Sequence, residues 1–195
     1  MALANLYTTT GQTLKAQEAL NKSLELDPDS ATAHLHLGMN SLKDTNWRTA
    51  LKEFNLAIQL EPTNEEAYFK VGYTYYKIAT ESDGAQKQQA LNQSSAAYES
   101  AFKLNPSYTE AAFNLAYNYE TLNDWTNAVT WYEKAIQSDK EFARAYFALG
   151  SVHQKQGHTA EAAKNFCTFA KMNPSGLERE VEIAKSASKS LGGCH

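Results

Sequence analysis

The chain has 195 residues, 43% of them apolar and 21% charged, a balance that supports a buried core and excludes a disordered tail. Its formal charge is -4 and no block of five or more like charges occurs, so it offers no basic footprint for a nucleic-acid backbone. Apolar runs fall far short of the roughly 20 residues needed to cross a bilayer, and the Met-Ala-Leu-Ala-Asn-Leu-Tyr start lacks the features of a secretory signal. The chain therefore reads as cytoplasmic, with no direct membrane insertion.

With four prolines and nine glycines, the composition favours helices. The prolines keep time. Pro28, Pro62, Pro106 and Pro174 end the segments Leu-Asp-Pro, Leu-Glu-Pro, Leu-Asn-Pro and Met-Asn-Pro, separated by 34, 44 and 68 residues. The last interval is two periods of 34 with Lys140 at the vacant slot, and the middle one carries ten extra residues. Proline cannot continue a helix, so each one sets the turn into the next unit.

In chain order the units are residues 1–30, 31–64, 65–108, 109–142 and 143–174 of a single domain spanning 1–195. The first is incomplete: its leading helix would have to begin about four residues before Met1, so the reading is a piece cut from a longer protein. Within the first helix of each later unit a small residue recurs as Gly38, Gly72, Ala116 and Gly150, preceded by Leu37, Val71, Leu115 and Leu149. Three residues on, Tyr75 and Tyr119 share a slot with Ser41 and His153. In the second helices, Ala16, Ala50, Ala128 and Ala162 precede Leu20, Phe54, Tyr132 and Phe166 by four. A small side chain lets the helices of a hairpin approach, and large residues at helical spacing fill the space beside it.

The ten extra residues lie between the helices of the third unit. A turn at Asp83-Gly84 and helix formers from Ala85 onward predict a hairpin that projects one or two turns beyond its neighbours. This reads as an insertion at a solvent edge, with a second contact surface as the alternative. After Pro174, a helix from Leu177 to about Leu191 places Leu177, Val181, Ala184 and Leu191 on one face. A capping box from Ser175 to Glu178 would open it, and it closes the array as a capping helix over residues 175–191.

These residues closely resemble the tetratricopeptide-repeat pattern of Leu-Gly-x-x-Tyr, then Ala-x-x-x-Phe, then Pro, over nearly the whole chain. The resemblance implies an all-α, right-handed α-solenoid of about five stacked helix-turn-helix units plus the capping helix. Stacking is required because one hairpin cannot bury its own apolar stripe. It further implies a concave wall made by the first helix of each unit. On that wall Leu35, Phe69, Phe113 and Phe147 share one slot and Met39, Tyr73 and Tyr117 another, with Tyr76 beside them. Lys43, Lys70, Lys77, Arg144 and Lys155 face Glu66, Glu110 and Glu120 there, a local excess of positive charge. Asn114 occupies the slot where the family often places an asparagine that bonds a ligand backbone. The five-residue set by which some members grip a chaperone C-terminus is matched only at Asn114 and Arg144, so chaperone-tail binding is not expected.

The chemistry of an enzyme is not legible. No Gly-rich phosphate loop, His-Glu-x-x-His or Gly-x-Ser-x-Gly occurs. His153 and His158 are five apart beside Gly157, and His34 and His36 point to different faces, neither a metal-ligand spacing. Cys167 and Cys194 form no disulfide framework, and the Gly-Gly-Cys-His tail reads as frayed. The expectation is thus a non-catalytic adaptor or scaffold, without metal or cofactor. Its groove residues Leu35, Met39, Phe69, Lys70, Tyr73, Tyr76, Lys77, Phe113, Asn114, Tyr117, Arg144 and Phe147 would hold a peptide or helix of a partner protein. The alternatives are a self-associating scaffold and the targeting module of a larger multidomain enzyme.

Overall fold

The computed structural model describes residues 13–193, and the side chains of Thr13, Leu14 and Ala16 are not included. The leading part of the expected first unit and Cys194 lie outside the described residues. Ten helices and no strands occupy the described chain: α1 (Thr13–Leu26), α2 (Ala31–Lys43), α3 (Trp47–Leu60), α4 (Glu65–Thr80), α5 (Gly84–Leu104), α6 (Thr109–Thr121), α7 (Trp125–Ser138), α8 (Ala143–Lys155), α9 (Thr159–Met172) and α10 (Glu178–Ser190). They fall into two compact units divided between Leu104 and Asn105, where the sequence reading treats 1–195 as one domain.

In unit 1, α2 pairs with α3 and α4 with α5, while α1 packs on α2 and α3 on α4. The small-residue slots explain the pairing. A Cβ on Gly38 would lie 2.5 Å from the Phe54 ring, and one on Gly72 would lie 2.7 Å from Tyr98. The glycines are what allow fully buried rings to lie flat against the neighbouring backbone. Ser94 takes the alanine slot of the third unit, and its hydroxyl donates to the Gly72 carbonyl at 2.7 Å, so this buried polar group has its partner. Leu35, Ala50, Phe54, Ala57, Ala67, Val71 and Ala97 form the core here.

The α4–α5 hairpin absorbs the ten extra residues as helix. α4 has 16 residues where α2 has 13, and α5 has 21 where α3 has 14. Each hairpin is still closed by a three-residue turn, Asp44 to Asn46 in one and Glu81 to Asp83 in the other, so the insertion lengthens the rods and leaves the turn unchanged.

Unit 2 repeats the scheme: α6 pairs with α7, α8 with α9, α7 packs on α8, and α10 lies on α9. A Cβ on Gly150 would meet the Phe166 ring at 2.9 Å. Ala162, Phe166, Phe169, Val181 and Ala184 form its buried centre, with Leu177 and Leu191 packed against it. Helix entry differs from the sequence expectation at α10. Leu177 is the N-cap residue and makes no side-chain cap. Ser175 sits too far upstream to cap a helix that starts at Glu178, and the Glu178 carboxylate accepts instead from the Gly176 N–H at 2.9 Å. The tail is also less frayed than expected. The Gly193 N–H donates to the Ser188 carbonyl at 2.8 Å, and a Cβ there would meet the Ala163 Cβ at 2.8 Å. Cys167, buried in α9, is disulfide-bonded.

Candidate functional site

In unit 1 the expected groove residues lie on α2 and α4. Leu35 is only 6% exposed and belongs to the core cluster, so that position is corrected from wall to core. Met39 is half-buried and packs against the same cluster. Phe69 rests on Tyr98 with ring centroids 5.3 Å apart. Lys70 reaches Glu66 at 3.7 Å and lies 5.8 Å from the Phe69 ring, so its charge is partly answered within α4. Tyr73, Tyr76 and Lys77 are half-buried on the same helix.

In unit 2 the corresponding residues build a cavity of about 320 Å3. Four of the expected residues line it: Phe113 and Tyr117 from α6, and Arg144 and Phe147 from α8. Asn114 is half-buried and does not line it. The floor is an aromatic lattice. Phe113 contacts Tyr132 at 5.4 Å and Phe142 at 5.3 Å, while Phe147 contacts Phe166 at 5.7 Å and Phe169 at 5.1 Å, in tilted or edge-on pairs. Phe113 and Phe147 are therefore both cavity floor and core packing, where the sequence reading puts their slot on the wall. Tyr117 is 42% exposed and stands at the rim.

Glu120, which the sequence also puts on the wall, lines the cavity too, and the remaining lining was not anticipated. Tyr132 and Phe169 come from second helices, Leu177 and Glu180 from the start of α10, and Ala148 and Ser151 from α8. Ser151 was findable. It sits in the slot that holds Met39, Tyr73 and Tyr117 in the preceding units, and Ala148 sits where Lys70 and Asn114 sit. Two small side chains in place of large ones leave the space in front of Phe147.

Charge inside the cavity is largely internal. Glu120 accepts the Tyr132 hydroxyl at 2.8 Å on one oxygen and the Lys155 ammonium at 2.8 Å on the other. Burial, then the Glu120 charge and its hydrogen bond, push the Tyr132 hydroxyl far above the usual tyrosine range, so it stays a donor. Lys155 is also 5.1 Å from the Trp125 ring. The Arg144 guanidinium lies 5.6 Å from the Phe113 ring and 4.9 Å from the Phe142 ring.

The histidines are spent elsewhere. His34 Nδ1 is 2.7 Å from Glu53, joining α2 to α3. The His153 and His158 rings lie tilted to one another with centroids 5.7 Å apart, and burial first, then the His158 charge, lower the His153 pKa. Among the described residues no group of three or more His, Cys, Asp or Glu is placed to hold a metal ion, and no helix is long and apolar enough to cross a membrane.

Family models place this geometry. A TPR repeat model matches residues 119–157, and a tetratricopeptide repeat model matches residues 1–30 and 143–175. The chain is a tetratricopeptide-repeat protein. Among curated relatives it is 23% identical over 177 residues to the tetratricopeptide repeat-containing protein trd-1 of Caenorhabditis elegans, covering 90% of this chain and 22% of that one. To the CTR9 homolog of Arabidopsis thaliana it is 25% identical over 175 residues, covering 86% of this chain and 15% of the relative. It thus spans about a fifth of the length of such relatives. Among solved structures, MamA matches with a TM-score of 0.75 at 27% identity, covering 95% of this tetratricopeptide-repeat chain and 98% of MamA. YrrB, described as a TPR protein with an unusual peptide-binding site, matches with a TM-score of 0.72, covering 94% of this chain and 88% of YrrB. At 19% identity that likeness shows the fold alone. This repeat fold supports a protein–protein interaction module.

Proposed function

We propose that the protein is an adaptor or scaffold that holds a peptide or helical segment of a partner protein in an aromatic-lined concave groove, without catalysis, metal or cofactor. The cavity of unit 2 supports the reading. A rigid ring lattice forms its floor, and Ala148 and Ser151 leave it open for an apolar side chain of the partner, with Tyr117 at the rim to meet the partner's backbone. In unit 1 the same slots hold larger side chains, Lys70 and Tyr73.

The test is capture from source-cell extract with the wild-type chain beside a Phe113→Ala/Tyr117→Ala variant whose circular dichroism shows a folded helix content. A protein retained by the first and lost by the second supports the groove. Identical retention by both moves the site elsewhere, and recovery of the same chain turns the reading to a self-associating scaffold.

A further inference from the structure

The last residues of the chain turn back onto α9. Leu191 closes α10, Gly192 follows in the left-handed region at φ 79°, and the Gly193 N–H donates to the Ser188 carbonyl at 2.8 Å. In this helix stop the residue two beyond the cap bonds back into the last helical turn, and glycine takes the left-handed position before it at no steric cost. Gly193 then lies so close to α9 that a Cβ would meet the Ala163 Cβ at 2.8 Å and the Ala163 carbonyl carbon at 3.3 Å. Cys167 stands one turn beyond Ala163 on the same face of α9, buried and disulfide-bonded. The chain holds two cysteines, no free cysteine occurs among the described residues, and the second, Cys194, is the residue after Gly193.

We infer that Cys167 and Cys194 form a redox-sensitive clamp that fixes the end of α10 to α9. α10 is the helix that such a bond serves best. It packs chiefly on α9, its N-cap residue gives no side-chain cap, and its buried side chains are Val181, Ala184 and Ser188. A terminal helix with so few buried groups stands at the low-stability end of its unit. Closing the loop from Cys167 to Cys194 removes open forms of α10 from the ensemble. A dithiol reverses the bond. Its thiolate attacks one sulfur, a mixed disulfide forms, and the dithiol leaves as its own disulfide while its two hydrogens end on Cys167 and Cys194 as thiols. The clamp is thus closed in an oxidising compartment and open where thiols are kept reduced. Leu177 and Glu180, from the start of α10, line the cavity of unit 2, so the same bond steadies one of its walls whatever the cavity holds.

The full chain, purified without reductant and incubated with oxidised glutathione, is denatured and alkylated with N-ethylmaleimide before and after dithiothreitol. The expected result is a monomer that takes up no label before reduction and one label on each cysteine after it. Hydrogen exchange then compares the oxidised chain, the chain kept in dithiothreitol, and Cys194→Ser with and without dithiothreitol. The backbone amides of Val181, Ala184 and Ser188 should exchange about tenfold faster or more in the reduced chain and in Cys194→Ser. Those of α6 and α7 should stay unchanged, and dithiothreitol should add nothing to Cys194→Ser. Two free thiols in the oxidised sample, or a disulfide-linked dimer, would overturn the pairing. Exchange in α10 that is indifferent to reduction would overturn the clamp.

Discussion

Unit 1 and unit 2 use the same repeat slots and reach opposite outcomes on the wall proposed to hold a partner. In α4 the sequence Phe69, Lys70, Tyr73 presents a ring, a long cation and a second ring, all half-buried. In α8 the equivalent positions are Phe147, Ala148 and Ser151, and a cavity of about 320 Å3 opens there. The aromatic count on the wall does not make the site. The missing bulk beside an aromatic floor makes it. The core slots behave alike in both units, with Gly72 under Tyr98 and Gly150 under Phe166.

That likeness gives the largest expected effect. Replacing Gly72 or Gly150 by Leu forces a side chain into a space where a Cβ alone would lie 2.7 or 2.9 Å from a buried ring, and each should cost about 1–3 kcal/mol in thermal or denaturant unfolding. An unchanged melting temperature in either variant would break the equivalence of the two units. Next comes the difference between them. Ser151→Tyr restores in α8 the residue that Tyr73 supplies in α4, and should fill the cavity and weaken partner retention about tenfold or more. Its stability should change by less than about 1 kcal/mol. Retention at the wild-type level would mean that the cavity is not where the partner sits.

The fold was legible in the sequence because its rules are steric and local. The glycine slots, the rings they accommodate and the prolines two residues beyond Leu26, Leu60, Leu104 and Met172 recur at fixed spacing, and each acts within one hairpin. The site was only half legible. Phe113, Tyr117, Arg144 and Phe147 line the cavity, but reading the wall as one stripe put Leu35 on it, where it packs into the core. Tyr132, Phe169, Leu177 and Glu180 come from three other elements, and no periodicity along α6 or α8 points to them. The clue that was present, Ser151 in a slot of large residues, is a signal of absence, which a pattern of aromatic residues does not register.

Two smaller effects sharpen the comparison. His153 stands in the slot of Tyr75 and Tyr119, and its Nδ1 is buried with no hydrogen-bond partner among the described residues. Its pKa is lowered from the ordinary histidine value by burial and by His158, while Glu161 and Glu133 act the other way. Because the folded state disfavours the charged ring, the stability it contributes is present above about pH 6.5 and is lost as pH falls from there towards the folded pKa. His153→Tyr should flatten that acid loss in part, leaving the share of His36 in unit 1, whose pKa is also lowered, chiefly by burial. Denaturant midpoints at pH 7 and pH 5 read the difference. Equal pH dependence in the two proteins would remove His153 from the account.

The smallest effect concerns the hairpin turns. Thr45, Asn123 and Gly157 hold the same turn position, with φ of 57°, 60° and 78°, so unit 1 places a β-branched residue where unit 2 has asparagine and glycine. Thr45→Gly should stabilise by about 0.5–1 kcal/mol, read as a raised denaturant midpoint.

The most direct measurement of the central claim is site-specific photocrosslinking in source-cell extract, with p-benzoylphenylalanine substituted either at Tyr117 or at Tyr73. Tyr117 stands at the rim of the cavity and Tyr73 in the filled counterpart on α4. A partner captured strongly from the Tyr117 position, weakly or not at all from Tyr73, and lost from Tyr117 when Ser151→Tyr is added is the predicted result. Capture from Tyr73 alone, or capture from Tyr117 that is indifferent to Ser151→Tyr, would contradict it.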